Sequence, residues 1–599
     1  MNTQPNQATI RKAFSAMAKQ SDFSDGFTLK KKRVCWVKVT TKSTSLIPIC
    51  DPFEVMGRTY DEAGENTGLL IRFAANRASK DIVEATVLIA DLVSDARKVV
   101  SDLAGKGLWV SADRYTVGKV AELLSLIRPE NDVVTVSRPG WHGSVFVSPT
   151  GEVFGESDNL YRLSEGSRFD DSGKAGSLEA WTSAVRAALE CPNGDFLCIG
   201  LLSGLAGPLV NLMGSATSLL INFAGTTSRG KTTAQRLGAS VWGNPYKGAA
   251  LVKFNVTPGA IEAIAAKANG NLLAIDEGGQ SSMTGPQYQT AVFNLAEGTG
   301  KRRLTPSAEE KKVRQWSTGI TISEEVGFAD KVKRDGRNPA AGAVARIWEV
   351  SVDEAEELDD ETVAEIESIR CNYGLAAPVF IQHLIDQGYP TDVERLRERV
   401  NKAELILSAH HKAPQQRRVA AAAAVLLVAG ELAQEAGLFD RGYPVKDVVL
   451  RVLQRSYDRM ARDIDPVEAS LANLREAVLR RIGLDVRDID YDRENVHREV
   501  VGLFAYPDRP GEFTVNENDR DISERVYFLP AEQFMVLGGG IVAAKTMASA
   551  LKKQGYLIPQ SDKNSAWPTM PDGNKIGHYR VSGSFFHEDA KATELEEAA

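Results

Sequence analysis

The stretch Gly225-Thr-Thr-Ser-Arg-Gly-Lys-Thr232 admits few folds. Its spacing is G-x-x-x-x-G-K-[ST], a glycine loop whose backbone N–H groups wrap a phosphate chain at a helix N-terminus. Such a loop works only between a buried strand and a helix, and both are legible here. Ser218 to Ala224 reads as a buried strand, and Thr233 to Trp242 reads as a helix. In this arrangement Lys231 reaches the β- and γ-phosphates and Thr232 ligates Mg²⁺. Gly225, Thr226, Thr227, Ser228, Arg229, Gly230 and Thr233 complete the expected contact set. The bland alternative, a glycine-containing surface loop, needs neither flank. The pattern predicts a site for ATP or a close relative.

A second element narrows the chemistry. Leu272-Leu-Ala-Ile-Asp276-Glu277 is an apolar strand ending in two carboxylates. Asp276 is placed to complete the Mg²⁺ shell, and Glu277 to polarise a water for attack on the γ-phosphate. Alone, this would be an ordinary strand end with solvated acids. Paired with the loop, it predicts an ATP hydrolase.

The chain has 599 residues, enough for about three or four domains. Its net charge of −8 gives no global nucleic-acid footprint, so any DNA contact must come from local basic patches. Five scattered cysteines form no C-x-x-C pair, and the histidines, His410-His411 included, complete no zinc pattern. Reduced thiols and a cytoplasmic setting are the expectation. Phe196 to Ser228 carries no charge, yet it is rich in glycine and runs into the nucleotide loop. A buried helix, a turn and the central strand explain it better than a membrane span.

The pattern along the chain predicts an α/β protein in several parts. These are a mobile arm over 1–25 with a short helix from Ile10 to Lys19, and a mixed α/β domain over 26–176. A nucleotide-binding core over 177–350 follows. An acidic linker and helical lid occupy 351–465, a winged-helix-like domain 466–587 and a tail 588–599. The linker holds nine carboxylates and no basic residue between Asp353 and Glu367, which reads as a solvated helix face. The alanine-rich run from Val419 to Ala433 reads as a buried lid helix.

Several motifs together carry a resemblance. Asn222 to Thr233, Ser240-Val-Trp-Gly243, Leu273 to Gly278, Val344-Ala-Arg346-Ile-Trp-Glu-Val350, Arg138-Pro-Gly-Trp-His-Gly143 and Val428 to Ala433 resemble the domain-of-unknown-function 927 family. The likeness runs from about Phe27 to Leu438. It implies an AAA+ type P-loop ring ATPase, similar to the minichromosome-maintenance-like replicative helicases carried by mobile elements and phages. The implied assembly is a hexamer that moves along DNA, single-stranded or forked. No primase or nuclease constellation is evident, so priming or loading would fall to a separate protein. The chain departs from the best-known replicative helicases in lacking a zinc-binding cysteine set.

Between the helix expected from Gln287 to Glu297 and the next strand lies a basic segment, predicted to be a hairpin. Lys301, Arg302, Arg303, Lys311, Lys312 and Arg314 stand against Glu309 and Glu310. In the helicases this chain resembles, a hairpin here projects into the pore and grips phosphates without reading sequence. A basic surface loop, or a contact with a neighbour's acidic run, are the alternatives.

The strand from Gly319 to Ser323 should lie beside the nucleotide, with Ser323 as the polar sensor and Thr321 in reserve. Arg346 precedes the strand Ile347–Val350, where related ring helicases carry an arginine that reaches a neighbour's ATP. Arg337 competes for that role, and a structural salt bridge is the alternative for both. Arg417 and Arg418 are candidates for a second sensor. Trp141-His142 has no catalytic partner and reads as packing. The reading that unites these residues is an ATP-dependent DNA translocase, a replicative helicase. Its rival is a non-translocating AAA+ switch: a loader, regulator or defence-associated ATPase.

Overall fold

The computed structural model describes residues 7–20, 26–76, 81–169, 173–214, 218–246, 251–276, 283–303, 313–334, 341–409, 414–464, 466–481, 486–488, 502–505, 507–509, 512–513, 525–540, 542–558 and 577–587. Glu277, Lys311, Lys312, Arg337, His410 and His411 lie outside the described residues. Residues 1–331 with 342–453 form one compact unit, and 332–341 with 454–599 form another.

Within the first unit, the chain from Leu219 to Ser351 builds a five-stranded sheet. Its spatial order is Leu251–Lys253, Leu272–Asp276, Gly319–Glu324, Leu219–Ala224, Ile347–Ser351, and every pair is parallel. Parallel sheets need cover on both faces, which is why the strands read as unbroken apolar runs. All six side chains of Leu219–Ala224 are buried. After that strand the chain crosses to the far edge, and it later returns on the strand's other side. The loop therefore sits at a switch point, at the carboxyl ends of the strands, where α/β sheets bind ligands.

The uncharged stretch folds as expected. Gly194–Leu212 is a helix, long and apolar enough to cross a membrane, yet nearly every residue in it is buried. Its glycines explain why. A Cβ on Gly200 would strike the Ala234 carbonyl, one on Gly204 the Gly238 carbonyl, and one on Gly207 the Asn271 carbonyl. Gly238 in turn faces the Gly200 carbonyl. Two helices thus meet backbone to backbone, and the second is Lys231–Ser240, which begins at the nucleotide loop.

The N-terminal region adds a five-stranded mixed sheet, ordered Leu160–Leu163, Asp132–Val136, Phe53–Asp61, Gly68–Ala74, Ile82–Leu88. The helix expected from Ile10 to Lys19 forms over Gln7–Gln20, and its Phe14 is fully buried, 5.6 Å from the Phe53 ring. That burial corrects the expectation of a mobile arm for this stretch: Phe14 joins the domain core. The alanine-rich helix spans Pro414–Glu435, with Ala420, Ala423, Ala424 and Leu426 buried.

The second unit holds a four-stranded sheet, ordered Val486–Asp488, Gly502–Ala505, Val526–Pro530, His578–Ser582. Helices Pro466–Arg481, Ala531–Leu537 and Ala544–Gln554 supply Leu474, Phe534, Met547 and Leu551 to a core with Tyr527 and Val581.

Candidate active site

The loop's geometry follows from its glycines. Gly225 and Gly230 have φ of 150° and 84°, and Ser228 between them has 64°. Backbone N–H groups can turn inward only through such left-handed positions, which favour glycine. Lys231 opens the helix, and its Nζ donates to the carbonyls of Gly225 and Thr226 at 2.5 and 2.7 Å. Burial pushes its pKa below the ordinary lysine value, while Glu325, Asp353 and Asp276 oppose that shift.

Sheet register brings the remaining groups together. Ile275 pairs with Ile322, so Asp276 and Ser323 follow at one level on adjacent strands. Ser323 Oγ donates to Asp276 Oδ1 at 2.6 Å, and Thr232 Oγ1 donates to the same oxygen at 3.2 Å. Thr321, one strand period earlier, is fully buried and accepts from Gln235 Nε2 at 3.4 Å instead. A cavity of about 650 Å³ lies over these groups, lined by Thr227 to Thr233 with Asp276, Ser323, Glu324 and Glu325. The site fits a small divalent cation: adjacent oxygens around Mg²⁺ sit about 3 Å apart, given metal–oxygen distances near 2.1 Å. The Thr232–Asp276 separation matches that spacing.

Sequence reasoning missed the acids that hold the loop. Asp353 Oδ1 accepts from Thr226 N at 3.1 Å, and Glu325 accepts from Thr227 Oγ1 at 2.8 Å. Arg229, expected among the nucleotide contacts, donates to the Ala355 carbonyl at 2.8 Å. The acidic run thus begins as a support for the loop. Glu324 is also new: it is 2% exposed and faces Lys331 at 3.1 Å. Burial pushes its carboxyl up to about 7, with Lys331 opposing and Glu349 adding to the rise.

The candidate arginines lie elsewhere. Arg346 stands at the amino end of its strand and pairs with Glu297, its guanidinium 4.8 Å from the Phe293 ring. Arg418 lines a groove with Arg346, Leu219 and Leu220, at the same end of the sheet. Arg417 is exposed near the start of the helix Pro414–Glu435. A six-residue strand spans roughly 20 Å. Neither Arg346 nor Arg418 therefore approaches the nucleotide loop of its own chain.

The basic segment has the base of a hairpin. Gly300 N donates to the Arg314 carbonyl at 2.9 Å, and Thr299 bridges Gln315. Its root is anchored by Glu262, 4% exposed, which accepts from Lys301 N at 3.1 Å and from Arg303 at 2.7 Å. Arg303 is thereby paired with a buried carboxylate of its own chain. Nearby, Arg138 reaches the Gln315 carbonyl at 3.3 Å. Trp141 Nε1 bonds the Pro208 carbonyl at 3.0 Å, and His142 Nδ1 lies 3.0 Å from Glu62. The Arg138–Gly143 motif thus packs the N-terminal region onto the buried helix and the hairpin root.

Residues 27–315 match the family model described as Domain of unknown function (DUF927). That bears out the resemblance over residues 27–315; the match stops short of Ser323, Arg346 and the helix Pro414–Glu435. No curated protein matches the chain. Among solved structures, it is similar to one described as SCCmec type IV Cch, an active helicase. The TM-score is 0.67 at 16% identity, covering 94% of this chain and 98% of that one. At that identity the likeness establishes a shared fold.

Proposed function

We propose that this chain is an ATP-dependent DNA translocase, working as a hexameric replicative helicase of a mobile element or phage. The observation that carries the nucleotide half is the convergence of Thr232 and Ser323 on one oxygen of Asp276 beneath the glycine loop. In this reading Lys231 holds the β- and γ-phosphates, and Thr232 with Asp276 holds Mg²⁺, which would neutralise charge developing on the phosphates. Glu277 orients the attacking water and Ser323 steadies the Asp276 carboxylate. The sheet order, with the loop strand between the sensor strand and Ile347–Ser351, supports an AAA+ core. The helices and strands from Pro466 to Ser582 support a winged-helix domain.

Arg346 acts on a neighbour's ATP, and its position at the amino end of the sheet supports that assignment. Arg418, in the same groove, would act beside it across the same boundary. To do so Arg346 must exchange Glu297 for a phosphate. The basic hairpin moves the strand, with Lys301 and Arg302 ahead of Arg303, whose partner is Glu262. The helicase of similar fold agrees with this reading.

The internal pairing of Arg303 favours the rival, a switch that needs no DNA grip. One experiment separates the two. Unwinding of a forked duplex, ATPase rate and salt-dependent binding are measured with Lys301, Arg302 and Arg303 all changed to alanine. The motor reading expects strand separation to vanish and the salt slope to flatten while basal hydrolysis survives. Unwinding at the wild-type rate would leave the hairpin a surface loop.

A further inference from the structure

Between Phe27 and Cys50 the chain carries six lysines and arginines and no carboxylate. This stretch folds as an antiparallel three-stranded sheet, Phe27–Lys30, Arg33–Val39 and Thr44–Cys50. Lys30 pairs with Arg33, so the first turn consists of two residues, Lys31 and Lys32. Their φ angles are 50° and 68°. Two-residue turns with positive φ at both positions favour Asn-Gly or Gly-Gly, which bear the left-handed backbone at least cost. Here two lysines occupy it. Both side chains are exposed, so packing does not account for the strain.

The rest of the sheet extends the same charge. Lys30, Lys38 and Lys42 are exposed as well. Arg33 is committed: its guanidinium stacks 3.4 Å from the Trp109 ring centre and its Nε lies 3.4 Å from Asp51. That pairing fixes the root of the turn and leaves the lysines to project. Trp36, half-buried, has the ammonium groups of Lys38 and Lys119 at 5.9 and 4.6 Å from its ring centre. Val39 and Leu46 stand exposed between the strands' polar residues. Lys30, Lys31 and Lys32 are consecutive, so their fields add within one Debye length, about 8 Å at physiological salt, while Lys38 and Lys42 lie toward the other end of the second strand, roughly 20 Å on.

We propose that this sheet is a second nucleic-acid contact surface, which grips the phosphodiester backbone at the Lys30–Lys32 turn and along Lys38 and Lys42. Lysine acts as a point charge on phosphate and reads no base, so the contact is indifferent to sequence. The surface extends the DNA reading to a region that reading did not use, and it stands or falls on binding alone.

The test uses the full chain, with fluorescent single-stranded and duplex oligonucleotides titrated across a range of salt. The variant Lys31→Asn with Lys32→Gly installs the residues this turn favours, so it should melt no lower than wild type. It should nevertheless bind DNA about three- to tenfold more weakly, with a log–log salt slope flatter by about 1 to 2. Adding Lys30→Ala, Lys38→Ala and Lys42→Ala should deepen both effects. Stronger loss on duplex or on single strands names the form gripped. Unchanged slopes in both variants would overturn the proposal. So would a loss confined to vesicles of phosphatidylserine, or to self-association, with DNA binding intact. Failure of the motor reading shows elsewhere, as hydrolysis indifferent to DNA or unwinding that survives the Lys301–Arg303 changes.

Discussion

Ser323 and Thr232, ninety-one positions apart, donate to the same Oδ1 of Asp276, at 2.6 and 3.2 Å. One carboxylate oxygen therefore reports on both the phosphate-loop helix and the neighbouring strand. Removing the shorter contact should leave phosphate binding largely intact and disturb the step in which Asp276 must hold its orientation. Ser323→Ala is expected to lower ATP turnover about tenfold with nucleotide affinity within about twofold. Steady-state kinetics beside nucleotide titration checks this, and a parallel loss of affinity would recast Ser323 as a binding residue.

Lys231→Ala and Glu277→Gln should separate binding from hydrolysis. The lysine contacts phosphates in the ground state, so its loss should weaken ATP binding tenfold or more, on the order of the strength of a charged hydrogen bond. Glu277→Gln should bind ATP normally and lose about 10²-fold or more in turnover, the usual contribution of a positioned base. Turnover of Glu277→Gln at the wild-type rate would remove that residue from its role.

Arg346→Ala protomers mixed with Lys231→Ala protomers should regain part of the ATPase activity that each variant lacks. Mixed rings contain interfaces with an intact loop on one side and an intact arginine on the other. If co-assembly is demonstrated and hydrolysis stays absent, Arg346 serves only its pairing with Glu297.

Glu324 gives a pH prediction with a definite sign. Its folded pKa of about 7 lies above the unfolded value of 4.5. Between those values the folded chain holds the extra proton, so the stabilising contribution is full below pH 4.5 and is lost as pH rises through 7. Glu324→Gln, always neutral, should gain stability over wild type as pH rises toward 8, by at most about 3 kcal/mol. Denaturant melts of both proteins across this range test it; parallel pH profiles would mean that Lys331 compensates the burial completely.

The parallel sheet and the loop that follows its strand Leu219–Ala224 were legible because local signals and spacing agreed. Gly225 to Thr232, the apolar run ending at Asp276 and the helix before the hairpin each announce themselves within a dozen residues. Ser323 followed from strand patterning, and register then set it beside Asp276. What stayed hidden depends on pairs far apart in sequence. Glu262 with Arg303, and Asp353 with the Thr226 amide, belong to no periodic pattern, so these pairings could not be read from the basic and acidic runs themselves. The groove that gathers Arg418 with Arg346 likewise exists only once the helix Pro414–Glu435 packs against the sheet. The Lys30–Lys32 turn had a visible signal, a stretch free of acids, which the chain's net negative charge obscured.

The backbone contact between Gly194–Leu212 and Lys231–Ser240 has a further consequence. Where helices touch through glycine, the residue that matters is the one that cannot be added to. In a saturation scan, Gly200, Gly204 and Gly238 should tolerate as few replacements as Lys231, although none of them meets a phosphate. A helix whose composition suits a lipid bilayer thus serves as the template that seats the Gly225–Thr232 loop.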